Sequence, residues 1–76
     1  MPHVIVKMFP GRNEAQKQRL CDQIVKDIME IAECEEKTVS VAIEEIARED
    51  WQETVYKPEI DAKKDLLYKK PGYEAV

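Results

Sequence analysis

The spacing of hydrophobic and polar positions changes character along this chain. The run Val4-Ile5-Val6-Lys7-Met8-Phe9 puts Val4, Val6 and Met8 on one face of a strand and Ile5, Lys7 and Phe9 on the other. A strand apolar on both faces is usually covered on both faces. Pro10-Gly11 ends it as a turn. Asn13 then suits a helix N-cap, with Gln16 where a capping-box partner belongs. From about Glu14 to Cys34 the period becomes helical, and Leu20, Cys21, Ile24, Ile28 and Ile31 form the apolar stripe. Lys17, Arg19, Asp22, Lys26, Asp27 and Glu30 take the other faces. The acidic run Glu33-Cys34-Glu35-Glu36 opposes the dipole at a helix C-terminus, so the end is expected to fray.

Alternation returns from Thr38 to Ile46, with Val39, Val41 and Ile43 opposed to Ser40, Ala42 and Glu44. Strand, long helix, strand predicts parallel strands joined by a right-handed crossover. One helix covers one face of so small a sheet, and the other face needs a partner. Beyond the turn-like Ala47-Arg48-Glu49-Asp50 and Trp51, a second helix is expected from Pro58 to about Lys69. Pro58 and Glu59 suit its first turn, Lys69 and Lys70 its last, and Pro71-Gly72 stops it. The tail Pro71-Gly72-Tyr73-Glu74-Ala75-Val76 is expected to order only by docking on a neighbour.

The length of 76 residues limits the chain to a single domain over 1–76, and at this size a monomer buries too little surface to be robust. The two cysteines, Cys21 and Cys34, fall on one predicted helix about 20 Å apart, beyond disulfide reach. His3 is the only histidine, and no Cys/His cluster has zinc spacing. Oligomerisation remains as the route to stability. The net charge of −4 is spread among interspersed acids and bases, with no basic block for nucleic acid. No apolar stretch approaches transmembrane length and no signal peptide is evident, so neither membrane nor export is expected. Free cysteines fit a cytoplasmic location.

Candidate chemistry begins at the second residue. If Met1 is cleaved, Pro2 carries a free secondary amine at the start of a strand. An ordinary α-amino group titrates near pH ~8, and burial lowers that value by disfavouring the charged form. Such a proline can act as a base at physiological pH. The alternative is a proline that merely opens an edge strand, where no ladder N–H is needed.

Several of these residues together resemble the 4-oxalocrotonate tautomerase family. They are Met1-Pro2, the short first strand, Gly11-Arg12, the long amphipathic helix, Val39-Ser40-Val41 and the aromatic Trp51. The later Trp51-Gln52 and Lys69-Lys70-Pro71-Gly72-Tyr73 are similar to the PptA-type, phenylpyruvate tautomerase-like subgroup. The resemblance implies an α/β (α+β) β-α-β fold, with two parallel strands crossed by the long helix and a short C-terminal helix. It implies pairs of protomers that form a four-stranded sheet. It also implies a cofactor- and metal-independent isomerase that acts on a small 2-keto acid or its enol, such as phenylenolpyruvate, with Pro2 as general base and acid. A homodimer is expected, because the tail resembles that of a subgroup associated with dimers; a hexamer is the alternative.

By the same resemblance Arg12 matches an arginine that holds a substrate carboxylate, a task a guanidinium performs with two parallel hydrogen bonds. The alternative is a solvated arginine near a helix start. Ser40 departs from the founding members, which carry a second arginine there. A serine supplies no charge, so a monocarboxylate with an apolar end fits better than a dicarboxylate. Ser40 is left as a neutral hydrogen-bond donor to substrate or as a strand serine at an interface. Trp51 matches an aromatic that walls the pocket, where it would lower the local dielectric and stack on an aryl group; otherwise it is a core or interface anchor. His3 is expected on the strand face opposite Pro2, in a structural role. A non-catalytic oligomeric binding protein with the same fold, or a dehalogenase or hydratase using the same proline, remains an alternative function.

Overall fold

The computed structural model describes residues 1–74. Strand β1 (His3–Met8) leads into helix α1 (Glu14–Ile31), then a short 3-10 turn at Glu36–Thr38 and strand β2 (Ser40–Glu45). The two strands pair in parallel, with His3 opposite Ser40, Ile5 opposite Ala42 and Lys7 opposite Glu44. This is the β-α-β arrangement expected from the hydrophobic pattern. By Cα proximity the chain divides into two compact units, Met1–Glu45 and a second from Ile46 onward.

Local chemistry accounts for the first unit. Gly11 has φ +133°, a backbone region that suits glycine, and it turns the chain out of β1. The capping box forms as expected: Gln16 N–H donates to Asn13 Oδ1 at 2.8 Å, and Asn13 N–H donates to Gln16 Oε1 at 2.9 Å. Helix α1 ends at Ile31, with Ala32 as its cap, rather than at Cys34. The chain leaves it through Glu33 at φ +54°, so the anionic run lies outside the helix instead of opposing its dipole from within. Cys34 therefore lies past the helix, and both cysteines are free thiols.

The half-buried positions of α1 are Lys17, Cys21, Ile24, Val25 and Ile28. Leu20 and Ile31, assigned to the stripe from spacing, are 36% and 78% exposed. Lys17 belongs to the covered side because its ammonium bridges Glu14 at 3.0 Å and Glu45 of β2 at 3.5 Å. The hydrogen bond that Lys17 donates to Glu14, aided by the charges of Glu14 and Glu45 and opposed by desolvation, raises the pKa of Lys17 above the ordinary lysine value. Val4, Val6, Val41 and Ile43 share the sheet face of Glu45 and are half-buried. The opposite face carries His3, Ile5, Lys7, Ser40, Ala42 and Glu44. Ile5 on that face is 48% exposed.

The second unit departs from the expected Pro58–Lys69 helix. A π-helix spans Gln52–Asp61, and a 3-10 turn follows at Lys64–Leu66. Pro58 lies inside the π-helix rather than at a helix start. Its ring would meet the carbonyl four residues back in an α-helix, and it has no N–H to donate. The wider i→i+5 pattern relieves that crowding, as in the Ala62 N–H bond to the Lys57 carbonyl at 3.0 Å. The expected helix does not continue to Lys69 because Leu66 and Tyr68, meant to hold it down, are 71% and 106% exposed. Val55, in the π-helix, is the one buried apolar residue among the described residues. The expected tail Pro71–Val76 is described as far as Glu74; Ala75 and Val76 lie outside the described residues.

Candidate functional site

The start of β1 brings three chemically relevant residues together. Pro2 is half-buried, and its carbonyl accepts the Ser40 backbone N–H at 3.2 Å. The sheet register sets His3 beside Ser40, and His3 Nδ1 lies 2.6 Å from Ser40 Oγ. Ser40 thus ties the N-terminal segment through its backbone to Pro2 and through its side chain to His3. Met1 is 99% exposed, so no packing opposes its removal.

The pairing of Ser40 with His3 has two chemical forms. When Nδ1 carries the proton, His3 donates and the Ser40 hydroxyl keeps its own proton for another acceptor. In the other tautomer the hydroxyl donates to the ring. A donor for substrate is therefore available from Ser40 in one form and spent in the other. The sequence places His3 in a structural role; its pairing with Ser40 is set by the register of the two strands.

Arg12 lies at the other end of β1. It is exposed, directly precedes the capping box, and its Nη1 lies 3.5 Å from the Phe9 carbonyl. That contact is long for a hydrogen bond and occupies only one of five guanidinium donors. Between Pro2 and Phe9 the extended chain rises about 3.3 Å per residue, so Arg12 is about 20 Å from Pro2 within one chain. The structure does not bring these two together in a single copy.

Trp51 belongs to the second unit and caps the start of the π-helix. It is half-buried, and its Nε1–H donates to Tyr73 Oη at 2.9 Å. The Tyr73 ring in turn lies 5.7 Å from that of Tyr56, tilted by 47°. This aromatic group was not anticipated, because nothing in the spacing of residues 51, 56 and 73 marks them as neighbours. Next to Trp51, the Gln52 Oε1 is shut off from solvent with no donor among the described residues. An open groove of about 310 Å³ in the same unit is lined by Tyr56, Ile60, Asp61, Lys64, Asp65, Lys70 and Pro71. It contains none of Pro2, Arg12, Ser40 or Trp51, and its mixed charges do not select one ligand class. No described helix is long and apolar enough to cross a membrane.

The parallel β-α-β frame agrees with what comparison with known proteins finds. Residues 2–55 match the family model described as tautomerase enzyme, and the chain belongs to the tautomerase family. It is an isomerase of that class. Its likeness within the family runs nearly end to end. It is 41% identical to tautomerase PptA of Cronobacter sakazakii, over 97% of this chain and 99% of that one. It is 40% identical to a probable tautomerase of Xylella fastidiosa, over 96% of this chain and 89% of that one. Among solved structures, it is similar to YwhB, a homologue of 4-oxalocrotonate tautomerase, with a TM-score of 0.61 and 34% identity. That match covers 62% of this chain and 77% of the other. A second likeness is to the 4-oxalocrotonate tautomerase isozymes of Methylibium petroleiphilum, at TM-score 0.63 and 26% identity over 66% of this chain and 81% of the other.

Proposed function

We propose that this protein interconverts the enol and keto forms of a 2-keto acid with one carboxylate and an apolar, aryl-bearing end, such as phenylenolpyruvate. Pro2, freed by loss of Met1, is the general base and acid. Its neutral amine takes the proton of the enol hydroxyl, and the resulting ammonium returns a proton to the adjacent carbon. The carbonyl forms, the carbon gains hydrogen, and the amine is regenerated, so no redox partner is involved. The observation that carries this proposal is the position of Pro2. It is half-buried, anchored by its carbonyl to Ser40, and directly preceded by an exposed methionine.

The other roles rest on the resemblance to the family, and the chemistry of each residue suits them. Arg12 grips the carboxylate, Ser40 supplies one neutral hydrogen bond, and Trp51 forms the apolar wall. Because Arg12 is about 20 Å from Pro2 in one chain, a clamp acting on the same substrate comes from a second copy. A homo-oligomer, in its simplest form a homodimer, is also supported by the thin core and by the uncovered sheet face around Ile5. The working unit is a single tautomerase domain of 76 residues in the cytoplasm.

The test is the ketonisation rate of phenylenolpyruvate, with intact mass measured to establish that Met1 is absent. Pro2→Ala is expected to lower kcat/KM by about 10²-fold or more, in the range for losing a positioned acid–base group. A form that retains Met1 is expected to be as slow. Equal rates for wild type and Pro2→Ala, both near the uncatalysed rate, would sink the proposal.

A further inference from the structure

We infer that Tyr73 is a positioning residue that fixes the orientation of Trp51 and, through it, the protein's preference for an aryl-bearing acid. This rests on the proposed role of Trp51 as the apolar wall. It adds a residue from the C-terminal segment, 22 positions away in the chain.

The inference starts from the indole. Tryptophan has a single polar atom, the Nε1–H donor, and whatever accepts from it sets which edge of the ring points where. Here the acceptor is the Tyr73 hydroxyl at 2.9 Å. Tyr73 is itself held by its ring against Tyr56 at 5.7 Å. Tyr56 follows Trp51 by five residues, which in an α-helix would place it about 140° around the axis. Tyr73 nonetheless reaches both: its hydroxyl accepts from the Trp51 indole, which flanks the π-helix, and its ring lies against that of Tyr56 within it.

Tyr73 is 45% exposed, so its hydroxyl could be solvated without this bond. A surface hydrogen bond contributes little to folding, yet it restricts a large planar side chain to one orientation. Its consequence is expected in recognition of a flat apolar group more than in stability.

Trp51 is the only tryptophan of the chain, so its emission reports on the surroundings of this one indole. The experiment compares wild type, Tyr73→Phe, Trp51→Phe and the double variant on the full chain. Calorimetry measures binding of 3-phenylpropanoate and of propanoate, and acrylamide quenching follows the wild type and Tyr73→Phe. Tyr73→Phe keeps the ring against Tyr56 and loses only the hydroxyl. It is expected to raise acrylamide quenching about 2-fold and to weaken 3-phenylpropanoate binding about 3- to 10-fold. Propanoate binding stays within about 2-fold. In phenylenolpyruvate turnover the loss falls on KM and not on kcat. In the Trp51→Phe background the same change has no further effect, since it acts through the indole.

Unchanged quenching with unchanged affinity overturns the inference. So does equal weakening of both acids, an equal effect in the Trp51→Phe background, or a wild type that does not bind 3-phenylpropanoate. A wild type with no ketonisation activity but with the expected aryl-acid response refutes the tautomerase substrate and supports the positioning role of Tyr73.

Discussion

Replacing Ser40 by alanine separates two jobs that one residue performs. The substitution removes Oγ and with it the 2.6 Å contact to His3 Nδ1. It leaves the Ser40 backbone N–H, and so the 3.2 Å bond to the Pro2 carbonyl. The N-terminal strand therefore stays in register. His3 and Ser40 are both exposed, so the lost side-chain bond belongs at the low end of the usual range, about 0.5 kcal/mol. For a chain of this length that is about 2–4 °C in Tm. A neutral hydrogen bond to substrate has a net value of about 0.5–1.5 kcal/mol. At 1.4 kcal/mol per factor of ten, kcat/KM for phenylenolpyruvate falls about 2- to 12-fold. The assay follows disappearance of the enol absorbance, with His3→Ala and the double variant completing a cycle. Coupling of about 0.5 kcal/mol between the two positions is expected in stability. A loss above about 100-fold with Tm unchanged would refute a plain hydrogen bond to bound substrate, because a donor contributes that much only where it meets charge that develops in the transition state. No change in kcat/KM would remove Ser40 from substrate contact altogether.

Two further predictions concern assembly and charge. Ile5 retains 48% exposure on the uncovered sheet face, so covering it is worth about 1 kcal/mol per protomer; Ile5→Lys is expected to shift sedimentation towards the monomer, and an unchanged distribution would show that this face is not an interface. The raised pKa of Lys17 means that its contribution is fully present below the ordinary lysine value and is lost as pH rises through the higher folded value. Wild type should therefore lose Tm between about pH 9 and pH 12 more steeply than Lys17→Met, and parallel curves would contradict the assignment.

Legibility differed between the two units for a physical reason. The first is governed by local rules. An apolar run marks β1, alternation marks β2, and the spacing of Asn13 and Gln16 marks the start of α1, because a capping box closes within four residues. The end of α1 was placed three residues late because Cys34 follows the earlier apolar spacing, whereas the left-handed turn at Glu33 ends the helix first. Lys17 was assigned to solvent because its partner Glu45 is on another element. In the second unit, Pro58 was taken as a helix start, since that is where proline costs least in an α-helix. The π-helix offers it an interior place that periodicity does not reveal.

The sequence by itself determined the chemistry that is available. It sets a proline behind a methionine, a guanidinium after Gly11, a serine without charge at position 40 and a single indole at position 51. It also determined the β-α-β order, because strand and helix periods are local properties of the chain. Only the tertiary structure decided which groups meet. Parallel register joined Ser40 to both Pro2 and His3, and the length of β1 separated Arg12 from Pro2. The path of the C-terminal segment put Tyr73 on Trp51. Such contacts cross tens of residues and depend on the path of the backbone between them, which no local spacing encodes.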